Sequence, residues 1–364
     1  MQATMAKRAR ILSPVNALGA SREQIAPLTA SSLFARDGVF ANREPASPGP
    51  GPDAATMVDM VRRPGRPRAQ IPVLRPEFSP TPADLSAAWL GHASAVVDVD
   101  GVRVVTDPVL SARCSPSQTV GPRRMHRAPL AARNLPPLDV VLISHDHYDH
   151  LDTATVLTIA RTQPEAIFVV PVGVAAHLHA WGVDPTRIRQ ADWFERVALT
   201  VRGTTIGFHA VPARHFSGRG LSRNLTQWVS WAVLGPRHRF FFSGDTGFTE
   251  SYEQTGADFG PFDLSLIAVG AYDPAWPDIH LNPEEAVTVH RLLNGGERGA
   301  LMVPIHWGTF NLARHPWADP MIRLMGQAQR LGVDVCVPRP GTTVDPDRRA
   351  GTAFFDPTWW ERCA

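Results

Sequence analysis

The sequence predicts an α/β fold, and three observations support this prediction. Short apolar runs that favour buried strands alternate along the chain with stretches that favour helices. The pair Asp100-Gly101 separates two β-rich runs, which is a strong signal for a hairpin. Several of the apolar runs end just before a histidine or an aspartate. Polar side chains are therefore expected where buried strands leave a sheet.

The composition is that of a soluble globular protein with room for one large or two medium domains. The chain has 364 residues, of which 44% are hydrophobic and 19% charged. The formal net charge of +2 gives no reason to expect nucleic acid as a partner. Many Ala, Arg and Pro residues are typical of GC-rich bacterial coding.

Three cysteines, Cys114, Cys336 and Cys363, lie far apart and imply no disulfide framework, which fits a reducing compartment. The sequence lacks a run of about 18 apolar residues and a convincing signal peptide. We therefore expect a cytoplasmic protein, and peripheral contact with the inner face of the membrane stays open. The oligomeric state is not predicted.

Residues 1–84 differ in composition from the rest of the chain. Ten prolines between Pro45 and Pro82 oppose both helices and central strands. We predict a Pro-rich N-terminal arm or linker over residues 1–84 and a catalytic domain over residues 85–364. The arm is either disordered or lies along the catalytic domain.

The elements of the catalytic domain follow in order. Ala87–Val99 and Val102–Thr106 are expected as strands on either side of the Asp100-Gly101 turn. Thr153–Arg161 is expected as a helix and Ala166–Val170 as the next buried strand. From Val174 to Val201 the alternation of helix and strand continues.

The stretch from Asp139 to Asp152 carries the strongest chemical signal. Val140–Ile143 is a continuous apolar run, and it leads directly into four potential metal ligands, His145, His147, Asp149 and His150. A strand fixes the base of the loop that follows it, so these side chains can converge on a small volume. Imidazole and carboxylate groups suit zinc or a similar divalent ion.

The pattern H-x-H-x-D-H after an apolar strand resembles the signature of the metallo-β-lactamase superfamily. This resemblance implies a four-layer αβ/βα sandwich that binds one or two metal ions at its edge. Three later residues occupy matching places: His215 follows the strand Thr205–Val211, Asp245 follows Arg239–Ser243, and His306 follows Leu301–Ile305.

On this resemblance, one metal ion would be held by His145, His147 and His215. Asp149, His150 and His306 would hold the second ion, and Asp245 would be shared. Two Zn²⁺ or similar ions could then share a hydroxide. His92 and Asp107 are expected to support the ligands rather than bind metal. Asp107, Ser243 and backbone carbonyls are candidate acceptors for the second imidazole nitrogens.

A finer resemblance is to the N-acylphosphatidylethanolamine-hydrolysing phospholipase D group. It rests on motifs such as W-L-G-H-A-S at Trp89–Ser94, G-P-R-R at Gly121–Arg124 and I-H-W-G-T-F at Ile305–Phe310, and covers roughly residues 85–330. It implies hydrolysis of a phospholipid phosphodiester, with Asp149, Asp245 and His280 as the catalytic residues. In the alternative interpretation Asn282 caps a helix and His280 is only a surface neighbour.

The loop Ser111–Pro129 contains three arginines that could hold a phosphate or carboxylate, Arg123, Arg124 and Arg127. We take His280, Arg123 and Arg124 as the substrate-binding residues, although a solvated basic loop is the competing interpretation. For membrane contact the sequence offers Arg62, Arg63, Arg66 and Arg68. It also offers tryptophans that could supply an aromatic lining or a membrane-facing edge, namely Trp228, Trp231, Trp276, Trp307, Trp317, Trp359 and Trp360. The competing interpretation is that most of them are simply core residues.

Two rival functions remain at this point. A lactone or β-lactam hydrolase would use the same hydroxide on a carbonyl carbon. A binding protein stabilised by zinc would need no hydroxide, but structural zinc sites are usually closed four-ligand sites.

Overall fold

Two β-sheets packed face to face form the centre of the molecule. A computed structural model describes residues 17–47, 54, 58, 65–297, 299–346 and 356–364. The helices are α1 (Arg22–Thr29), α2 (Thr153–Thr162), α3 (Val174–Ala180), α4 (Ser251–Phe259), α5 (Pro283–Leu292) and α6 (Asp319–Leu331). The strands are β1 (Leu85–Gly91), β2 (Ser94–Val99), β3 (Val102–Thr106), β4 (Val140–Leu142), β5 (Ile167–Pro171), β6 (Ile188–Ala191), β7 (Arg196–Val201), β8 (Thr204–Pro212), β9 (Gly218–Arg219), β10 (Ser222–Arg223), β11 (Val229–Leu234), β12 (Arg239–Phe242), β13 (Leu264–Ala268), β14 (Leu301–Ile305) and β15 (Thr343–Val344).

The first sheet has the strand order β15-β1-β2-β3-β4-β5-β6, and the second has the order β14-β13-β12-β11-β8-β7. Strands β3 to β6 pair in parallel, as do β12, β13 and β14. The remaining pairs are antiparallel, and β9 and β10 form a separate small hairpin. Within each sheet, the carboxyl ends of the parallel strands therefore lie at the same edge.

Alternation of side chains within each strand produces the layers. Val140 and Leu142 of β4 belong to the core between the sheets, together with Phe240 of β12, whereas Val141 faces a second core with Val156 of α2. Helices α5 and α6 pack on the second sheet through the first core. The order helix, sheet, sheet, helix confirms the predicted α/β sandwich.

One sequence-based strand boundary needs correction. The predicted strand Ala87–Val99 is two strands, β1 and β2, because the chain turns sharply between them at Gly91 and His92, which have φ angles of 106° and 55°. The turn is closed by Trp89, whose indole N–H donates to the His92 carbonyl at 2.8 Å. The hairpin predicted at Asp100-Gly101 is confirmed by the antiparallel pairing of β2 with β3.

The described parts of the predicted N-terminal arm lie along the two-sheet core. Phe40 and Ile71 are 1% and 2% exposed and belong to the core between the sheets, while Ile25 of α1 packs against Ala176 of α3. Strand β1 begins at Leu85, but the division into an arm and a domain stays a prediction. Arg62 and Arg63 lie outside the described residues.

Most of the seven tryptophans are core residues, as the competing interpretation holds. Five of them are less than 5% exposed and Trp360 is 5% exposed, so they are buried; Trp276 is partly buried. Trp307 stacks on Trp89 with ring centroids 5.7 Å apart. Among the described residues, no helix is both long and apolar enough to cross a membrane.

Candidate metal centre

The predicted ligands gather where the strands of both sheets end. Strand β4 ends at Leu142, and the loop after it carries His145, His147, Asp149 and His150. Strands β8, β12 and β14 lead into the three later residues, His215, Asp245 and His306. Residues separated by up to 161 positions in the sequence therefore lie side by side, as the strand-end pattern predicts.

One group of four potential ligands consists of His145, His147, His215 and Asp245. His147 Nδ1 lies 2.8 Å from His145 Nε2 and 3.3 Å from His215 Nε2. His215 Nε2 lies 3.7 Å from Asp245 Oδ2. Three nitrogens and one carboxylate oxygen within such distances match the donor set of a tetrahedral divalent metal site.

A second group of four consists of His92, Asp149, His150 and His306. Asp149 Oδ2 lies 2.9 Å from His92 Nε2, 3.5 Å from His150 Nε2 and 3.4 Å from His306 Nε2. Asp245 joins the two groups because its carboxylate oxygens lie 3.2 Å from His150 Nε2 and 3.1 Å from His306 Nε2. Its oxygens therefore lie close to imidazoles of both groups.

Several ligand side chains have the hydrogen bonds that fix the orientation of a metal-binding imidazole. His150 Nδ1–H donates to Asp107 Oδ2 at 2.6 Å, and the backbone N–H of Ser144 donates to the other oxygen of Asp107 at 2.7 Å. His215 Nδ1–H donates to the carbonyl of Ile279 at 2.8 Å. The hydrogen bond predicted for Asp107 is present, and its supporting role stays a prediction because Asp107 also forms a potential ligand group with His145 and His150. Within the described residues, the Ser243 hydroxyl bonds only backbone groups and no imidazole, so Ser243 is not the predicted acceptor.

Glycines beside Asp245 permit close backbone approach, as predicted. A Cβ on Gly244, where φ is 53°, would lie 2.5 Å from the Ser144 side chain. A Cβ on Gly247 would lie 1.8 Å from the carbonyl of Asp278. Any side chain at either position would therefore displace the loops that carry the ligands.

Several buried nitrogen and oxygen atoms in this centre lack hydrogen-bond partners, as expected of atoms that bind metal ions. Among the described residues, His150 Nε2, His306 Nε2 and Asp245 Oδ1 have no hydrogen-bond partner although they are inaccessible to solvent. Buried polar groups without a partner are expensive and rare. Atoms of metal-ligand type facing one another within a few ångströms would be satisfied by divalent cations. The His and Asp clusters can therefore bind metal.

Burial and neighbouring charges shift the pKa values of the carboxylates and imidazoles in this centre. Burial by itself would raise the pKa of Asp245, but His150 and His306 outweigh it and hold this pKa well below its usual range. Burial would lower the pKa of His150, whereas Asp245 and Asp149 raise it well above its ordinary value. For His145, burial and the neighbouring His150 both lower the pKa. Such perturbed carboxylates and imidazoles are common at functional sites.

His280 lies at the edge of the same centre. Its side chain is 12% exposed, and its Nδ1 lies 3.9 Å from Asp245 Oδ2 and has no hydrogen-bond partner within the part of the chain that the structure describes. Asn282 does cap α5, because its side chain accepts from the Glu285 N–H at 2.9 Å. The two interpretations of this segment are thus compatible, since the cap of α5 holds a loop that places His280 beside Asp245.

The loop arginines lie apart from the two ligand groups. Arg123 is exposed, and Arg124 is 9% exposed with one guanidinium N–H donated to the carbonyl of Val109. Burial lowers the pKa of Arg124 to about 10, an effect that the charge of Asp152 opposes. Both arginines line a cleft next to the metal centre. Contact with a substrate at the metal ions stays a prediction.

Sequence reasoning missed two residues of the centre. His92 was expected to support ligands, yet its Nε2 is as close to Asp149 as any imidazole of the centre. No signal pointed to this, because the sequence predicted a single strand running through His92. Asn42 hydrogen-bonds the backbone of His215, although nothing in the Pro-rich arm signalled such a contact. The arm therefore reaches a predicted ligand.

Comparison with known proteins agrees with this geometry. A family profile described as "Beta-lactamase superfamily domain" matches residues 102–307. An uncharacterized protein of Mycobacterium tuberculosis is 48% identical over 350 residues, covering 94% of this chain and 91% of that protein. N-acyl-phosphatidylethanolamine-hydrolyzing phospholipase D 1 of Caenorhabditis elegans is 41% identical over 233 residues, covering 62% of this chain and 64% of that enzyme.

Among solved structures, a metallo hydrolase of the archaeon Ignicoccus hospitalis has a similar fold, with a TM-score of 0.53 and 23% identity. The similarity covers 71% of this chain and 97% of the archaeal chain. The family assignment is supported by the profile match, the two-sheet core and the potential ligands at the strand ends. The chain belongs to the metallo-β-lactamase superfamily, as a metal-dependent hydrolase similar to the N-acylphosphatidylethanolamine-hydrolysing phospholipase D group.

Proposed function

We propose that this chain hydrolyses a phosphodiester of an N-acylphosphatidylethanolamine-like phospholipid with two divalent ions, most simply zinc. The observation that carries the proposal is the pair of ligand groups joined by Asp245, with His280 beside the joining carboxylate. The likeness to the nematode phospholipase D supports the choice of substrate.

In this proposal, His145, His147 and His215 would hold one ion, Asp149, His150 and His306 would hold the other, and Asp245 would be available to both. Such ions lower the pKa of a bound water and stabilise negative charge on the oxygens of the attacked group. The bridging position of Asp245 and the open space towards His280 are unlike a closed structural zinc site. This arrangement favours an enzyme over a zinc-stabilised binding protein.

The chain's own side chains have distinct tasks. Asp107 accepts from Nδ1–H of His150, so that Nε2 would be the nitrogen offered to a metal ion. The carbonyl of Ile279 does the same for His215, leaving Nε2 free to bind metal. His280 has a buried Nδ1 without a partner 3.9 Å from Asp245, so its imidazole is placed to orient a phosphoryl oxygen.

The proposal can be tested with a panel of substrates on one metal-loaded preparation. N-acylphosphatidylethanolamine, a short-chain soluble phosphodiester, a lactone and a β-lactam would be compared by kcat/KM. We expect the lipid to give the highest value, with release of phosphatidic acid and an N-acylethanolamine in equal amounts. A higher kcat/KM for the lactone or the β-lactam would overturn the assignment.

A further inference from the structure

A large cleft lies beside the metal centre and is not needed to build it. It encloses about 1070 Å³ and is formed by the segment at residues 66–73, the loop at residues 110–128 and Asn311. Apolar side chains cover part of its wall, including Ile71, Leu110 and Met125. Space of this size is typical of a cleft that accommodates a ligand.

The charged residues known to line the cleft are basic. Four arginines line it, Arg66, Arg123, Arg124 and Arg127, and no aspartate or glutamate among the described residues does. Within the described ranges, Arg66, Arg123 and Arg127 form no ion pair with a carboxylate. Arginines gathered in a concave surface without counter-charges form an attractive field for an anion.

Arg124 adds a buried charge to this field. It is 9% exposed, and its Nε and Nη1 have no hydrogen-bond partner among the described residues. Its guanidinium lies 5.4 Å from the centroid of the Phe310 ring. A buried guanidinium that lacks a carboxylate partner is unfavourable, and an anion in the adjoining cleft would offset that penalty.

The cleft adjoins the metal centre without being part of it. Phe310 lies between the cleft and the metal centre. Its ring faces the Arg124 guanidinium and packs edge-on against His92, with the Phe310 and His92 ring centroids 5.1 Å apart. His126 of the cleft lies 3.0 Å from Thr309 Oγ1, which accepts from the backbone N–H of His92 at 2.7 Å. An anion held by the arginines would therefore be separated from the ligand groups by a layer of side chains.

We infer that this cleft is a binding site for a phosphate-class anion, separate from the reaction centre. The planar, permanently charged guanidinium of arginine suits phosphate oxygens, and the rim arginines Arg123 and Arg127 are exposed and can reach them. The anion comes either from a lipid headgroup, with hydrocarbon against Ile71 and Leu110, or from free phosphate. The inference goes beyond the proposed function, because it does not depend on which bond the metal centre cleaves.

The test is calorimetric titration of the full, metal-loaded chain at low ionic strength. Two probes are used, inorganic phosphate and the short-chain lipid dihexanoyl phosphatidic acid. The double variant Arg123→Gln/Arg127→Gln removes two exposed guanidinium groups, so its folding is not at risk. Arg161→Gln, which alters an exposed arginine of α2 that does not line the cleft, is the matched control. His306→Ala separates binding at the metal centre from binding in the cleft.

We expect the double variant to bind the better probe at least tenfold more weakly, whereas Arg161→Gln and His306→Ala retain a wild-type binding event. A lipid probe that binds at least tenfold tighter than phosphate identifies a headgroup as the ligand. Equal affinities identify free phosphate, and both outcomes support the site. Unchanged binding in the double variant, or loss of all binding in His306→Ala, would overturn the inference.

Discussion

The Asn42 side chain hydrogen-bonds both backbone polar groups of His215. Its side-chain oxygen accepts from the His215 N–H at 2.9 Å, and its side-chain NH₂ donates to the His215 carbonyl at 2.9 Å. The same oxygen accepts from the indole N–H of Trp228 at 2.9 Å. An asparagine of the N-terminal segment thus sets the position of a proposed metal ligand that lies 173 residues away.

The first prediction follows from this contact. Asn42→Ala leaves the His215 N–H and carbonyl without their partner, at a cost of about 1–3 kcal/mol for each buried group, whereas the Trp228 N–H keeps its bond to the Ala213 carbonyl. We expect the variant to hold one of its metal ions about tenfold more weakly, measured by competition with a chelator. Asn42→Asp keeps the accepting oxygen, so its metal affinity should lie between those of the wild type and Asn42→Ala.

The matched control is Asn134→Ala, which removes an exposed asparagine before β4. Wild-type metal affinity in a folded Asn42→Ala variant would show that His215 does not depend on this contact.

The second prediction separates the two ligand groups. Asp245→Ala removes the carboxylate that lies close to His150, His306 and His215, so it should lose both ions and all activity. Asp149→Ala affects only the second group and should lose about one ion per chain. Elemental analysis of purified variants gives the counts, with Asp258→Ala, an exposed aspartate of α4, as the control. Equal losses in the Asp245 and Asp149 variants would contradict the bridging role.

The third prediction concerns His280. Phosphoryl transfer places more negative charge on the oxygens of the reacting group than attack on a carbonyl does, so a group that orients these oxygens should matter more for phosphodiesters. We expect His280→Ala to lower phosphodiester turnover about tenfold, equivalent to about 1.4 kcal/mol in the barrier, and to spare any lactone hydrolysis. His179→Ala, an exposed histidine of α3, serves as the comparison. A parallel loss on both substrates would indicate a structural role for His280.

The fourth prediction addresses how a lipid substrate is reached. Deleting the N-terminal arm would not isolate membrane binding, because Phe40 and Ile71 are part of the core and Asn42 contacts His215. The triple variant Arg62→Gln/Arg63→Gln/Arg68→Gln removes three positive charges and keeps the arm. Each basic residue near an anionic membrane contributes about 1 kcal/mol, so vesicle binding should weaken at least tenfold.

Hydrolysis of a short-chain soluble phosphodiester should stay unchanged in the same triple variant, because this substrate needs no membrane. Vesicle co-sedimentation and the two turnover rates provide the measurements. If the triple variant binds anionic vesicles as tightly as the wild type, these arginines do not contribute to membrane docking.

The parts of the fold that local patterns determine were predictable. The Asp100-Gly101 hairpin and the strand before His145 follow from residues adjacent in sequence, and both are present. The turn at His92 was missed, because an apolar run gives no sign of one residue with φ of 55° in its middle. The contact between Asn42 and His215 was missed for a different reason. Hydrogen bonds between distant segments depend on tertiary packing, and the prolines around Asn42 indicated only an extended chain.

The central claim is that two metal ions in the joined ligand groups drive hydrolysis of a phospholipid phosphodiester. The most direct measurement adds Zn²⁺ stepwise to metal-free protein and follows release of phosphatidic acid from N-acylphosphatidylethanolamine at each metal content. We predict that turnover rises with bound metal and reaches its plateau at about two ions per chain. Full turnover in the metal-free protein, or no release of phosphatidic acid at any metal content, would contradict the claim.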